Sequence, residues 1–192
     1  MDISGAFVEQ LKQLKILSLQ EIDIIYNHFT LEKLDPDDFF LKEGERCSKI
    51  GFLEKGILRT FIHDSEGQEI VKYFIDDHIF FTDIESYESS TPTKLSIQAI
   101  VDCKILTIKK QDNIILQTKI PQWDNILNSF AAKALAQMIH DQNFLHIGSA
   151  VDKYQYFISN FPNLAQNVPL KYISSYLGIT QSSLSRIRNQ WK

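Results

Sequence analysis

The sequence predicts an α+β chain: an N-terminal antiparallel β-roll of jelly-roll type with flanking helices, then a long helix, then a C-terminal helix-turn-helix. Three stretches carry that prediction. Short alternating segments punctuated by turn residues run from Leu31 to Lys109, a helical pattern runs from Trp123 to His146, and LKYISSYLGITQSSLSRIR spans Leu170 to Arg188. The boundaries that follow are a β-roll unit with its N-terminal helices over 1–121, a long helix over 122–148 and a helix-turn-helix unit over 149–192.

In chain order, Ile3–Leu14 and Ser18–Phe29 read as helices. Ser18 followed by Glu21 is a capping box, and Ile22, Ile25 and Tyr26 form an apolar stripe. Turn signals then recur as DPDD at 35–38, EGE at 43–45, EKG at 54–56 and DSEG at 64–67. Between them GILRTFIH, QEIVKYFI, KLSIQAIV and KILTIK alternate β-branched or aromatic residues with polar ones. The stretch Phe81–Ser90 breaks the rhythm, and its acids and capping residues predict one short helix between strands.

The long helix carries Ile126, Leu127, Phe130, Leu135, Met138 and Ile139 spread around its cylinder among alanines. A helix apolar on more than one face needs two covers, the roll on one side and its own copy on the other, which predicts a homodimer. The same pattern also fits one helix buried at the centre of a monomer. A further short helix is expected over Asp152–Phe161, capped by Ser149 and stopped by Pro162, with the polar linker NLAQNVP after it.

The final stretch has the spacing of two short helices crossing through a tight turn. Ile173 and Leu177 lie one turn apart on the first, Leu184 and Ile187 one turn apart on the second, and Ile179 fills the corner. Gly178 supplies the turn by tolerating positive φ, Ser174 keeps the first helix thin, and Thr180 caps the second. The outward residues that follow are donors and cations, suited to a DNA major groove. Gln181, Ser182, Ser185 and Arg186 are the expected base readers, and Lys171, Ser183 and Arg188 the expected phosphate contacts. Only Asn189 to Lys192 follow, so a two-stranded wing is not expected, and salt dependence should be shallower than in a winged relative.

The 192 residues are 44% hydrophobic, enough for packed cores, and the formal net charge is −4. That charge is unevenly placed: from Lys153 onward there are lysines and arginines and no acid, leaving about −9 on the first 152 residues. Cys47 and Cys103 suit a reducing compartment and have no metal-ligand spacing. With no signal peptide and no apolar run of about 18 residues, a cytoplasmic protein without a membrane partner is expected.

Roll, long helix and helix-turn-helix together resemble the layout of the Crp/Fnr transcription regulators. FLKEGERCSKIGFLEKGILRTF is similar to the glycine-punctuated front half of that family's sensor roll, TDIESYESSTPTKLSIQAIVDCKILTI to its second half, and VPLKYISSYLGITQSSLSRIR to its DNA-reading end. The resemblance implies a homodimer on double-stranded DNA, an inverted-repeat operator with half-site centres about 34 Å apart, and transcription regulation. It also allows RNA polymerase as a partner. Family members that bind cyclic AMP hold ribose with a glutamate after a glycine and phosphate with an arginine before a small residue. Here those positions are Thr82 and Asp83, then Thr93 and Lys94. Asp83 can still accept a ribose hydroxyl, but the phosphate clamp is missing, and Lys94 is expected on the opposite face of its strand. Cyclic AMP binding is therefore not expected, while an unidentified small-molecule effector stays open at Thr82, Asp83, Thr93 and Lys94. Two cysteines are too few for an iron–sulfur sensor.

Enzyme chemistry is not expected, nor a cofactor or metal. His63 and His78 are a strand apart with no converging carboxylate, unlike a metal-dependent cupin. His140 and His146 on the long helix read as structural before haem-binding or pH-sensing, Cys47 beside Arg46 as a bystander before a redox thiol, and Asp83, Glu85 and Glu88 as a solvated first turn before a cation site. The alternative to a DNA reader is a ligand-binding signalling protein whose helix-turn-helix serves protein contacts.

Overall fold

The computed structural model describes residues 5–190, apart from the side chains of Phe144, His146, Ile147 and Gln190. The expectations at Ile3, His146 and Lys192 lie outside the described residues. Helices α1 (Ala6–Gln13) and α2 (Leu19–Asn27) come first, and Ser18 forms the expected capping box with Glu21 at the start of α2. Glu54 docks α1 against the roll by accepting from the amides of Ala6 at 2.6 Å and Phe7 at 3.2 Å, a carboxylate placed at the positive end of the helix.

Eight strands follow: β1 (Thr30–Leu34), β2 (Phe39–Leu41), β3 (Lys49–Lys55), β4 (Leu58–His63), β5 (Glu69–Ile75), β6 (Phe80–Phe81), β7 (Ser96–Ala99) and β8 (Cys103–Lys109). They pair antiparallel in two four-stranded sheets, in the orders β1-β8-β3-β6 and β2-β7-β4-β5. The expected turn signals separate strands. Gly51 is required because β6 pairs with β3 there, Gly51 opposite Phe81, and a Cβ would lie 2.5 Å from the Phe81 ring. Between the sheets lies one core, including Phe40, Leu53, Leu58, Phe81, Ile97 and Ile105. The expected short helix is α3 (Ile84–Ser89), capped by Asp83.

Helix α4 (Lys110–Lys119) joins the roll to α5 (Trp123–Ile147). The sequence reading assigns no element to α4. Its apolar residues Ile114, Ile115 and Leu116 are consecutive, not helically spaced, and only Leu116 is buried. A buried chain of hydrogen bonds ties this corner together: Trp123 Nε1 donates to Asn113 Oδ1 at 2.8 Å, and Asn113 Nδ2 donates to the Tyr87 hydroxyl at 3.2 Å. A second core, with Phe7, Leu11, Ile25, Phe52, Leu116, Trp123 and Ile126, packs the helices on the first sheet.

The sequence alternative of α5 as a central helix buried in a monomer is overturned. Residues 131–140 are exposed or half-buried, with Leu135 57% and Ile139 53% accessible, because the roll covers only the first turns. Three further helices follow: α6 (Ala150–Asn160), α7 (Pro162–Asn167) and α8 (Leu170–Leu177), before the last helix, α9 (Gln181–Gln190). Ser149 caps α6 as expected, in a capping box with Asp152. The polar linker is not a loop, however. Pro162 ends α6 but opens α7 at its first turn, where a missing N–H costs nothing.

Candidate functional site

Helix α8 ends at Gly178, whose φ of +65° lets the chain turn into α9. The amide of Gly178 donates to the Ser175 carbonyl at 3.1 Å and that of Ile179 to the Ser174 carbonyl at 3.0 Å, so the carbonyls at the end of α8 stay paired across the turn. Thr180 Oγ1 accepts from the Ser183 amide at 3.2 Å, the expected cap of α9. Ile173, Leu177, Leu184 and Ile187 are all buried in one core with Phe157, Leu164 and Val168. The predicted corner residue Ile179 packs against it half-buried, and Ser174 is buried where α8 is crossed.

That packing turns one face of α9 outward. Gln181, Ser182, Ser185 and Arg186 are exposed, and Arg186 Nε donates to the Ser182 carbonyl at 3.4 Å, lying back along the helix. Of the expected phosphate contacts, Lys171 is exposed on α8, while Ser183 and Arg188 are half-buried. The Ser183 hydroxyl is engaged by Thr180 at 2.8 Å.

Sequence reasoning missed the joint between this unit and the roll. Arg59 on β4 is buried, and its guanidinium donates to Gln98 Oε1, from Nε at 2.9 Å and Nη2 at 2.5 Å, and to Glu69 at 2.5 Å. It lies between two aromatic faces, 4.1 Å from the Phe61 ring centre and 3.9 Å from that of Tyr172 on α8. The Arg59 hydrogen bond holds the Glu69 carboxyl below the usual carboxylate range. Ser175 of α8 bonds the free edge of β5, accepting from the Val71 amide at 3.0 Å and donating to the Glu69 carbonyl at 3.4 Å. Phe74 adds ring contacts with Tyr176 at 5.3 Å and Phe157 at 6.2 Å. The available signal was an arginine inside the strand GILRTFIH, two residues from a phenylalanine on the same face.

Three of the four candidate effector residues come together and are engaged with their own chain. Asp83 accepts the Thr93 hydroxyl with one oxygen and caps α3 with the other, taking the Ser86 amide at 3.3 Å. Thr82 donates to the Lys49 carbonyl at 3.1 Å and touches Cys47 Sγ at 3.2 Å. Lys94 precedes β7 instead of lying on it, so strand alternation does not turn it away. It lines a small recess of about 270 Å³ with Asp83, Glu85 and Thr93. A larger cleft of about 660 Å³ runs between the roll, α5 and the last helices.

The remaining candidates are placed as ordinary structure. Cys47 and Cys103 are both buried and unbonded to each other, and burial pushes the Cys103 thiol up to about 11. His140 Nδ1 lies 3.0 Å from the Tyr156 hydroxyl, which donates to Asp141 at 2.7 Å. Among the described residues no group of three His, Cys, Asp or Glu is placed to hold a metal ion, and no helix is long and apolar enough to cross a membrane.

The chain is thus a β-roll carrying one short helix, joined through a long helix to a C-terminal helix-turn-helix. Residues 31–116 match the family described as the cyclic nucleotide-binding domain. The chain has the fold of the Crp/Fnr transcriptional regulators. It is similar to FixK2 from Bradyrhizobium japonicum, with a TM-score of 0.72 at 20% identity over 84% of this chain and 83% of that one. Similarity extends to the c-di-GMP responsive global regulator CLP of Xanthomonas campestris, with a TM-score of 0.71 at 13% identity over 91% of both chains. A transcriptional regulator of the Crp/Fnr family from Eubacterium rectale gives 0.70 at 16% identity over 93% and 85%. No curated protein matches the sequence.

Proposed function

We propose that this chain is a sequence-specific DNA-binding regulator of transcription, not an enzyme, acting as a homodimer through α5. The observation that carries this reading is the outward face of α9. Gln181, Ser182, Ser185 and Arg186 stand exposed on a capped helix, in a terminal segment without acids at the end of an otherwise acidic chain. Glutamine and arginine can pair bidentate with adenine and guanine, and serines bond bases or phosphates. Lys171 and Arg188 flank that face as candidate phosphate contacts. The exposed Leu135 and Ile139 on α5 supply an apolar seam for a second copy, which would present two reading helices to an inverted repeat. A cytoplasmic setting fits this reading, which also allows RNA polymerase as a partner.

The sensor is not a cyclic AMP receptor in this reading. Asp83 has both oxygens committed to Thr93 and Ser86, so a ribose hydroxyl would have to displace a bond within the chain. Lys94 is a single point charge where a bidentate clamp would be needed. The test is selection of bound duplexes from a random pool at near-physiological salt. An enriched inverted repeat is expected, with Arg186→Ala costing about 1–3 kcal/mol at its base pair. An unenriched pool, with cell extract added as a source of effector, overturns the reading and favours protein contacts by the helix-turn-helix.

A further inference from the structure

We infer that Glu69 of β5 is an intrachain counter-ion for Lys171, which a DNA phosphate must replace before α8 can hold the backbone. This rests on the DNA-reading proposal, under which α8 is the helix that crosses the sugar–phosphate backbone while α9 enters the major groove. Lys171, in its first turn, is the only cation on α8. Ser175 lies one turn further along the same side of α8 and donates to the Glu69 carbonyl at 3.4 Å. The side of α8 that carries Lys171 therefore runs along β5.

The charges around Tyr172 show why a carboxylate is needed there. The Lys171 ammonium lies 4.5 Å from the centre of the Tyr172 ring, and the Arg59 guanidinium lies 3.9 Å from the same centre. The ring attracts each cation, but the two repel one another. Glu69 balances them: its Oε2 accepts from Arg59 Nη1 at 2.5 Å, and its carboxyl is held low first by that hydrogen bond and then by the charges of Arg59, His63 and Lys171. A phosphate approaching Lys171 meets this carboxylate, and the exposed Asp64 and Glu66 in the turn of the same hairpin add like charge. The Glu69 side chain is 43% accessible, so water screens the competition and makes it a restraint on binding, not a block.

The test is a double-mutant cycle on the full-length protein, read by fluorescence anisotropy with a labelled random-sequence duplex over a series of salt concentrations. Glu69→Gln should tighten binding by about threefold and steepen the slope of log K against log salt by about 0.9, the contribution of one more phosphate. Lys171→Ala should cost little in the wild-type chain, where Glu69 already occupies the lysine, and should cancel the whole gain in the Glu69→Gln chain. Glu66→Gln makes the same change of charge in the hairpin turn, and any gain it gives should survive Lys171→Ala. Without DNA, Glu69→Gln leaves two cations over one ring, so exchange of the Val71 amide beneath Ser175 should quicken, and adding Lys171→Ala should slow it again. Equal losses from Lys171→Ala in both chains, or amide exchange that Lys171→Ala does not restore, would overturn the inference while DNA reading stands. If no variant binds the duplex, the DNA-reading proposal falls and takes the exchange with phosphate down with it.

Discussion

The Arg59 guanidinium lies 3.9 Å from the centre of the Tyr172 ring, so a buried cation of the β-roll rests on an aromatic face of α8. Cation–π contacts contribute about 0.5–1 kcal/mol when exposed and about 2 when desolvated. Tyr172→Ala should therefore loosen the C-terminal helices by about 1–2 kcal/mol while the roll stays folded. Proteolysis of the segment between α6 and α8 at native temperature checks this, since faster cleavage there with an intact roll is the expected result.

Ser175→Ala tests the other half of the joint. It leaves the Val71 amide, at the edge of a sheet, without its protein partner. Its hydrogen exchange should speed up by about fivefold, equivalent to the roughly 1 kcal/mol of one hydrogen bond, while amides inside β4 stay protected.

Acid should weaken the same joint. Glu69 has its carboxyl held low chiefly by the Arg59 hydrogen bond, so the stabilisation is complete above the ordinary glutamate value of about 4.3. It is lost as pH falls through the lower folded value, where protonation leaves Arg59 only Gln98 and its aromatic neighbours. Glu69 is 43% exposed and water screens the pair, which limits the effect to about 0.5–1 kcal/mol. Denaturant melts of wild type and Glu69→Gln between pH 7 and 3 should converge as pH drops.

Two glycines should respond unequally to alanine. At Gly178 nothing lies within 4 Å of an added Cβ, so the cost is the left-handed backbone alone, about 1–2 kcal/mol. At Gly56, with φ +128°, the Cβ would sit 2.8 Å from the Asp102 carbonyl oxygen and 2.9 Å from Cys103 Cα. Gly56→Ala should lower the melting temperature further than Gly178→Ala, which on the DNA-reader proposal should instead weaken DNA binding by mis-setting α9.

On the dimer reading, Leu135→Asp with Ile139→Asp should yield a folded monomer. Sedimentation velocity checks it: an unchanged dimer would place the seam elsewhere. Both residues are exposed in the single chain, so the substitution removes nothing from its own core.

What could be read from the sequence was what local chemistry sets. The Ser18 and Ser149 caps, the αL turn at Gly178 and the helix at Phe81–Ser90 each depend on residues within about four positions of one another. Features decided by distant partners stayed hidden. Helix α4 takes its place from Asn113, which joins Trp123 to Tyr87, and its exposed Ile114 and Ile115 disguise the helical period. Pro162 carries two meanings, the end of one helix and the first turn of the next, and only the packing of Leu164 selects the second. Arg59 is polar by type and buried in fact, because Gln98, Glu69 and two rings from three other elements and its own strand surround it.

The position of β5 at the rim of its sheet carries a cost that the reader conceals. An edge strand with open N–H and C=O groups is a template for pairing with another chain, and β5 also leaves Ile70 36% exposed. In the closed arrangement Ser175 occupies the Val71 amide and the Glu69 carbonyl, and Gln142 donates to the Lys72 carbonyl at 3.4 Å. Moving the C-terminal helices away would uncover that rim, so the same contact that seats α8 also guards the β-roll against self-association into strand-paired aggregates.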